Sequence, residues 1–361
     1  MNQHKHIDLD GHVNPEVVNK RAALAARFAS AQPFRHIVID DFLDEAYCER
    51  LMAEFPAFDE KLAINENGEV GAKAVREKIV DIGPAFAALD GLCRSEAFRE
   101  LVGEITGIED LHHDPYYFGG GTHENLHGQS LDAHVDFNYH PITREHRRLN
   151  LIVYLNPEWR DEWGGSLQLH RDPYLPPSQD EIKVVTPLAN RCVIFETNEY
   201  SWHGFPRINL PEDKRGMSRR SFALYYYTEN RPPEETAAEH STIYVEQHLP
   251  EWYEPGMTLD GDELQHIRNL VASRDQHLKR LYSNIKHLNT QIADLQHRLD
   301  AQQDSPTTDD APAPVASADP QPVELGRKLR AAQARIAELE ASTSWRITAP
   351  LRALKQVLSR R

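Results

Sequence analysis

The segment Leu131-Asp-Ala-His-Val-Asp-Phe137 places a histidine and an aspartate two residues apart, at His134 and Asp136. On a strand, residues i and i+2 point to the same side, so both side chains can reach one ion. A third donor, His203, stands far downstream in Tyr200-Ser-Trp-His-Gly-Phe205. That gap lets several strands run away and return. Two imidazoles and one carboxylate on one face of a metal, with the other positions open, form the donor set of non-haem Fe(II) oxygen chemistry. The pair alone is a weak signal, because the chain has 19 histidines. The surrounding elements carry the argument further.

Such a site needs a rigid β framework, and the sequence supplies candidate strands on both sides of it. Arg148-Leu-Asn-Leu-Ile-Val-Tyr-Leu-Asn156, Arg191-Cys-Val-Ile-Phe195 and Arg219-Arg-Ser-Phe-Ala-Leu-Tyr-Tyr-Tyr227 are rich in β-branched and aromatic residues, which favour strands. Trp163-Gly-Gly-Ser-Leu-Gln-Leu-His170 reads as a tight turn into a further strand. The 219–227 run opens on guanidinium groups. A dicarboxylate co-substrate is well held by a bidentate arginine deep in a pocket.

In this order of parts, residues 33–235 resemble a prolyl 4-hydroxylase-like, 2-oxoglutarate- and Fe(II)-dependent oxygenase. The match runs through H-x-D, a strand ending Tyr-Leu-Asn, Gly-Gly and a strand, the distal histidine, and an R-x-S strand. The entry strand Pro33-Phe-Arg-His-Ile-Val-Ile-Asp-Asp-Phe-Leu43 is similar too. The resemblance implies a mainly β, α+β fold: a double-stranded β-helix, or jelly roll, with flanking helices. It implies His134, Asp136 and His203 as iron ligands. It also implies Arg219 clamping the far carboxylate of 2-oxoglutarate, Ser221 beside it, and Tyr154 hydrogen-bonded to the same group. O2 would be the oxidant and ascorbate a supporting reductant. No catalytic side chain is expected beyond the metal ligands. The retained carboxylate Asp136 argues for hydroxylation, because related halogenating enzymes lack it.

The stretch from Arg207 to Gly216 reads as a loop insertion between the distal histidine and the arginine strand. It leaves both Arg219 and Arg220 open as the clamp. Parity favours Arg219, which shares a strand face with Ser221, Ala223 and Tyr225. Trp202, Asn138 and Tyr139 are candidates to support the ligands by proximity. His127 is a candidate substrate contact. The loop Phe118-Gly-Gly-Gly-Thr-His123 either borders the substrate mouth or is a simple turn.

Composition narrows the class. A chain of 361 residues at a net charge of −16 fits one large domain with appendages and argues against a nucleic-acid partner. No apolar run approaches a membrane span, and the N-terminus lacks the apolar core of a signal peptide. Cys48, Cys93 and Cys192 are too few and too scattered for a disulfide frame or a zinc site. Cytoplasmic location is the expectation.

The expected organisation is an N-terminal helix in 1–32, an oxygenase domain over 33–258 and a coiled coil over 262–302. A disordered linker over 303–322, a second short coiled-coil helix over 323–341 and a basic amphipathic tail over 342–361 follow. Leu264, Val271, Leu278, Ile285, Ile292 and Leu299 recur every seven residues, with Ile267, Leu281, Leu288 and Leu295 three after members of that row. That pattern predicts self-association, a parallel dimer being favoured. The linker is rich in Pro, Ala and Asp and cannot bury a core. The tail, Ser342-Thr-Ser-Trp-Arg-Ile-Thr-Ala-Pro-Leu-Arg352 onward, is basic on an acidic chain. It resembles a short tail of bacterial cell-surface polysaccharide enzymes. A basic amphipathic end can dock on such an enzyme or lie at the inner face of the cytoplasmic membrane.

Three readings follow. One is hydroxylation of an unactivated C–H bond on a sugar, glycan or lipid-linked intermediate of bacterial cell-surface polysaccharide biosynthesis. The second keeps the chemistry and makes the substrate a protein or peptide side chain, as in prolyl hydroxylases. The third is a non-catalytic scaffold that assembles a polysaccharide biosynthesis complex through the coil.

Overall fold

The structure is a computed structural model and describes residues 9–63, 73–245, 249–250 and 252–303. The expected linker beyond 303, the second coil helix and the basic tail lie outside the described residues. In chain order, Pro15–Asn19 (α1) and Arg21–Ser30 (α2) lead into His36–Ile39 (β1), Glu45–Glu54 (α3) and Ala74–Arg76 (β2). Pro84–Arg94 (α4) and Glu96–Thr106 (α5) follow, then His112–His113 (β3), Gly121–Asn125 (β4), Leu131–Val135 (β5) and His146–Tyr154 (β6). Leu167–His170 (β7), Ile182–Val185 (β8), Cys192–Glu196 (β9), Trp202–Phe205 (β10), Arg219–Thr228 (β11) and Ile243–Tyr244 (β12) complete the strands, and Gly261–Gln303 (α6) is a long helix.

The strands form two antiparallel sheets. The larger runs β1-β9-β6-β11-β4-β2, with β3 also on β11, and the smaller runs β12-β5-β10-β7-β8. These antiparallel sheets with flanking helices are consistent with the expected jelly roll. Strand alternation divides the large sheet. Phe222, Leu224 and Tyr226 of β11 and Leu149, Leu151 and Val153 of β6 join the core formed with the helices. Ala223, Tyr225 and Tyr227 form a separate cluster on the opposite face, with Ile152 against it.

One irregularity in that alternation matters for the site. Leu149 pairs with Tyr226, but Arg147 pairs with Tyr227, so β6 holds one extra residue, Arg148. A bulge of this kind reverses the parity of what precedes it. Arg147 therefore turns to the face of Asn150 and Tyr225, not to that of Leu149.

Local signals set the helices. Asn14 caps α1, accepting from the Glu16 amide, and Pro15 stands in its first turn. Asp44 caps α3 and Ser95 caps α5. The single N-terminal helix expected within 1–32 is broken at Lys20 into α1 and α2. Val17, Leu24 and Phe28 are buried in the main core, so these helices are a wall of the domain and not an appendage. The division between compact units falls between Ser273 and Arg274, later than the expected end at 258. The start of α6 belongs to the first unit. There Arg215 pairs with Asp262 at 2.6 Å, and the Arg207 guanidinium donates to the Asp262 carbonyl at 3.0 Å.

Candidate active site

β5 and β10 are neighbours in the small sheet, and His134 stands directly opposite His203. Their ring centroids are 4.2 Å apart. Asp136 lies one residue beyond β5. His134 Nε2 is 3.7 Å from its Oδ1, and His203 Nε2 is 3.5 Å from its Oδ2. The three residues form a group whose ligand atoms all lie within 4.8 Å of one another. Gly204 lets the two strands come this close: a Cβ there would sit 2.5 Å from the Leu131 carbonyl oxygen.

Each imidazole is held in the tautomer a metal requires. His134 Nδ1 is 2.8 Å from the Asp132 carbonyl and His203 Nδ1 is 2.9 Å from the Ser201 carbonyl. With Nδ1–H donating to a carbonyl, Nε2 keeps its lone pair and faces inward. Burial disfavours the charged ring in both cases and lowers the pKa of His134 to about 3. Burial alone would raise the Asp136 carboxyl. Arg147, His203, His134 and Asn150 outweigh it and hold the group ionised. Two neutral imidazoles and a carboxylate are thus present as lone-pair donors without any proton to displace, which fits a divalent iron.

The carboxylate is fixed from the opposite sheet. Asn150 donates to Asp136 Oδ2 at 2.8 Å, and an Arg147 guanidinium nitrogen lies 3.1 Å from the same oxygen. Arg147 is itself sandwiched between the rings of Phe137 and Tyr225, at 4.4 Å and 3.6 Å from their centroids. Tyr244 of β12 stacks on His134, with centroids 5.1 Å apart.

Arg219 stands at the far end of β11, buried, with its guanidinium 4.2 Å from the Phe205 ring centroid. Its Nε donates to the Gly165 carbonyl at 2.6 Å, and an Nη is 3.2 Å from the Tyr154 hydroxyl. Among the described residues no carboxylate pairs with it. A buried guanidinium without an anion is costly unless a ligand supplies one, and a dicarboxylate fits that need. Ser221 is buried two residues along the same strand and pairs directly with Tyr154. Arg219, Tyr154 and Ser221 therefore converge. Arg220 points the other way, onto Glu124 at 3.2 Å and over the Phe55 ring.

The structure gathers His134, Asp136 and His203 in one group and sets Tyr154 beside Arg219 and opposite Ser221, while the expected supports fall elsewhere. Asn138 holds the backbone of Ala238 and His240, Trp202 packs edge-on against Tyr174, and Tyr139 packs on His146. None of the three touches a ligand side chain. Proximity along the chain is a poor guide here: Trp202 is the i−1 neighbour of His203 on β10 and points away from it, and Asn138 and Tyr139 lie past the end of β5, where strand alternation no longer places side chains. His127 accepts from the Leu210 amide and lies 3.5 Å from Asp262, so it braces the 207–216 loop. The Gly119 turn is tied down: its carbonyl accepts from Tyr225 and His123, and its amide donates to Glu77. Asn150 and Arg147 are the supports that sequence reasoning missed.

The three-residue group has the donor set of a non-haem iron site. Residues 121–227, from the first residue of β4 to the penultimate residue of β11, match the 2OG-Fe(II) oxygenase superfamily. Among curated proteins, the chain is 32% identical over 216 residues to a prolyl 3-hydroxylase of Mus musculus, covering 56% of this chain and 34% of that protein. The chain thus spans about a third of the length of that relative. Among solved structures, it is similar to a Trichoplax adhaerens prolyl hydroxylase in complex with a hypoxia inducible factor oxygen degradation domain peptide fragment. That similarity has a TM-score of 0.42 and 15% identity, covering 60% of this chain and 94% of that one. It is similar also to a Pseudomonas putida prolyl-4-hydroxylase, with a TM-score of 0.34 and 17% identity, covering 59% and 94%.

Proposed function

We propose that this protein hydroxylates an unactivated C–H bond, with Fe(II) and 2-oxoglutarate as cofactor and co-substrate. The observation that carries the reading is the convergence of the His134 and His203 Nε2 atoms on Asp136, with a buried, acid-free Arg219 on the same sheet face as Tyr225. When bound, iron and 2-oxoglutarate supply the oxidation: 2-oxoglutarate and O2 go to succinate and CO2, and one oxygen atom enters the substrate C–H bond.

The chain's own residues do the rest. His134, Asp136 and His203 would hold the metal. Asn150 and Arg147 keep the Asp136 carboxylate in one orientation. Arg219 and Tyr154 bind and orient the far carboxylate of the co-substrate, with Ser221 beside them. The aromatic wall of Phe195, Phe205 and Tyr225 keeps bulk water from the reacting groups.

Two substrate readings have separate support. The curated relative, a prolyl 3-hydroxylase, supports a protein or peptide side chain. The sequence of the basic tail supports a sugar, glycan or lipid-linked intermediate, with the coil and tail docking the enzyme on a polysaccharide-pathway partner or at the inner membrane surface. Full-length protein with Fe(II), ascorbate and 2-oxoglutarate, incubated with extracts of its host, tests both. The expected result is a one-oxygen mass gain in a single class of molecule, absent with Asp136→Ala. Equal succinate formation by wild type and Asp136→Ala would overturn the oxygenase reading.

A further inference from the structure

A third cation, besides Arg147 and Arg219, reaches the inner face of the large sheet, and neither metal nor 2-oxoglutarate accounts for it. β2 is the edge strand, paired to β4 with Val75 opposite His123. β4 is paired in turn to β11 with His123 opposite Ser221, and Ser221 is opposite Tyr154. Directly opposed residues share a face. Val75, His123, Ser221 and Tyr154 therefore form one row across four strands, on the face of Arg219. Lys73, two residues before Val75, is aimed at that face. Its Nζ lies 3.4 Å from each ring nitrogen of His123.

The protonation pattern is consistent. His123 Nε2 is 3.0 Å from the Gly119 carbonyl, so a neutral ring donates there and leaves Nδ1 to accept from the ammonium. Burial first, and Lys73 second, push the His123 pKa well below its ordinary value. Among the described residues no carboxylate pairs with Lys73. Burial lowers its pKa to about 8, with Asp136 pulling it up and Arg219 and Arg147 pulling it down. Among the described residues, an ammonium held near other cations, with a neutral imidazole as partner, is poorly compensated.

The two carboxylates of the co-substrate are already matched under the proposed function. One faces Arg219 and Tyr154, and the other belongs to the metal. Lys73 is surplus to both. It also lies just ahead of the edge strand, whose Val75 and Arg76 line a groove of about 650 Å³ together with Lys78 and the carboxylates Glu54, Glu77 and Asp81. We propose that Lys73, braced by His123, is an anion subsite for a carboxylate or phosphate group of the primary substrate. The assignment rests on the oxygenase reading for the location of the reacting centre. It makes the substrate acidic, and it makes Lys73 a specificity-determining residue that fixes the distance from that anion to the bond oxidised.

The experiment uses the full chain under anaerobic conditions with Fe(II) and 2-oxoglutarate, so that no turnover occurs. Inorganic sulfate is the anion probe. Limited acetylation with acetic anhydride, read by peptide mass spectrometry, reports access to Lys73. Sulfate is expected to protect Lys73 when 2-oxoglutarate is already bound. Calorimetry is expected to show sulfate affinity falling about tenfold in Lys73→Met, retained in Lys73→Arg, with 2-oxoglutarate affinity unchanged in both. Protection by 2-oxoglutarate alone, with its affinity lost in Lys73→Met, would assign the cation to the co-substrate and overturn the proposal. Absence of protection by sulfate would overturn it too. The labelling needs only wild-type protein, so a poorly folded variant does not decide the matter. Failure of the wild type to bind Fe(II) and 2-oxoglutarate by calorimetry would sink the oxygenase reading separately, and a parallel labelling with sulfate and neither of them keeps the two outcomes apart.

Discussion

Asn150 Nδ2 donates to Asp136 Oδ2 at 2.8 Å, from the middle of β6 in the large sheet to a residue just past β5 in the small one. Together with the Arg147 contact to the same oxygen at 3.1 Å, this bond ties the two sheets together at the Asp136 carboxylate. It also leaves Asp136 Oδ1 on the side of His134.

Asn150→Ala is therefore expected to weaken Fe(II) binding about 10–100-fold, the usual cost of losing a group that orients a metal ligand. Asn150→Asp is expected to be worse, because it places a second carboxylate against Asp136. Metal titration followed by calorimetry measures both. An Asn150→Ala protein with wild-type affinity would show that Arg147 alone fixes the carboxylate.

The two arginines at the start of β11 are expected to behave differently. Arg219→Ala removes a buried charge-assisted partner and should weaken 2-oxoglutarate by about 2–3 kcal/mol, roughly 30- to 150-fold. Arg220→Ala loses a contact to Glu124 on the helix side and should leave 2-oxoglutarate binding near wild type. Direct binding titrations of both variants decide it, and the reverse order would move the co-substrate to the other face of the sheet.

Stability should fall on acidification in a defined window. His113 is half-buried, and its desolvation together with Arg94 and Arg99 lowers its pKa to about 3 from an ordinary 6.5. Below 6.5 the unfolded chain takes up a proton that the folded ring refuses. Stability is thus fully present above that pH and declines as pH falls toward 3. His123, His134 and His203 shift in the same direction. The midpoint of thermal unfolding of metal-free protein should drop between about pH 7 and about pH 5, and less steeply in His113→Gln. A variant with an unchanged slope would remove His113 from the account.

Truncation after residue 273 should leave a folded unit, because the division between units lies there. Truncation after 258 removes Asp262 and His266, partners of Arg215, Arg207 and Tyr253, and should lower the unfolding midpoint by several degrees. Both should also lower the oligomeric state if the heptad seam pairs as its sequence predicts. Light scattering reads the mass. An unchanged mass after truncation would show that α6 does not assemble the protein.

The sequence by itself determined the donor set and the strands that carry it. H-x-D is legible because two residues along a strand return to the same face, and parity alone separates Arg219 from Arg220. Asn14, Asp44 and Ser95 announce their helices for the same reason: capping is a contact between residues two or three apart. Tertiary structure alone decided what surrounds the metal. Asn150 reaches Asp136 only because β6 of one sheet lies over the end of β5 of the other. Arg147 reaches it only because the extra residue Arg148 reverses the alternation of β6, and a bulge leaves no mark in a pattern of apolar residues. Lys73 meets His123 through the registers of an edge strand paired far from its sequence neighbours. Register is fixed by the packing of whole faces across a sheet, so these contacts exist in no local segment of the chain.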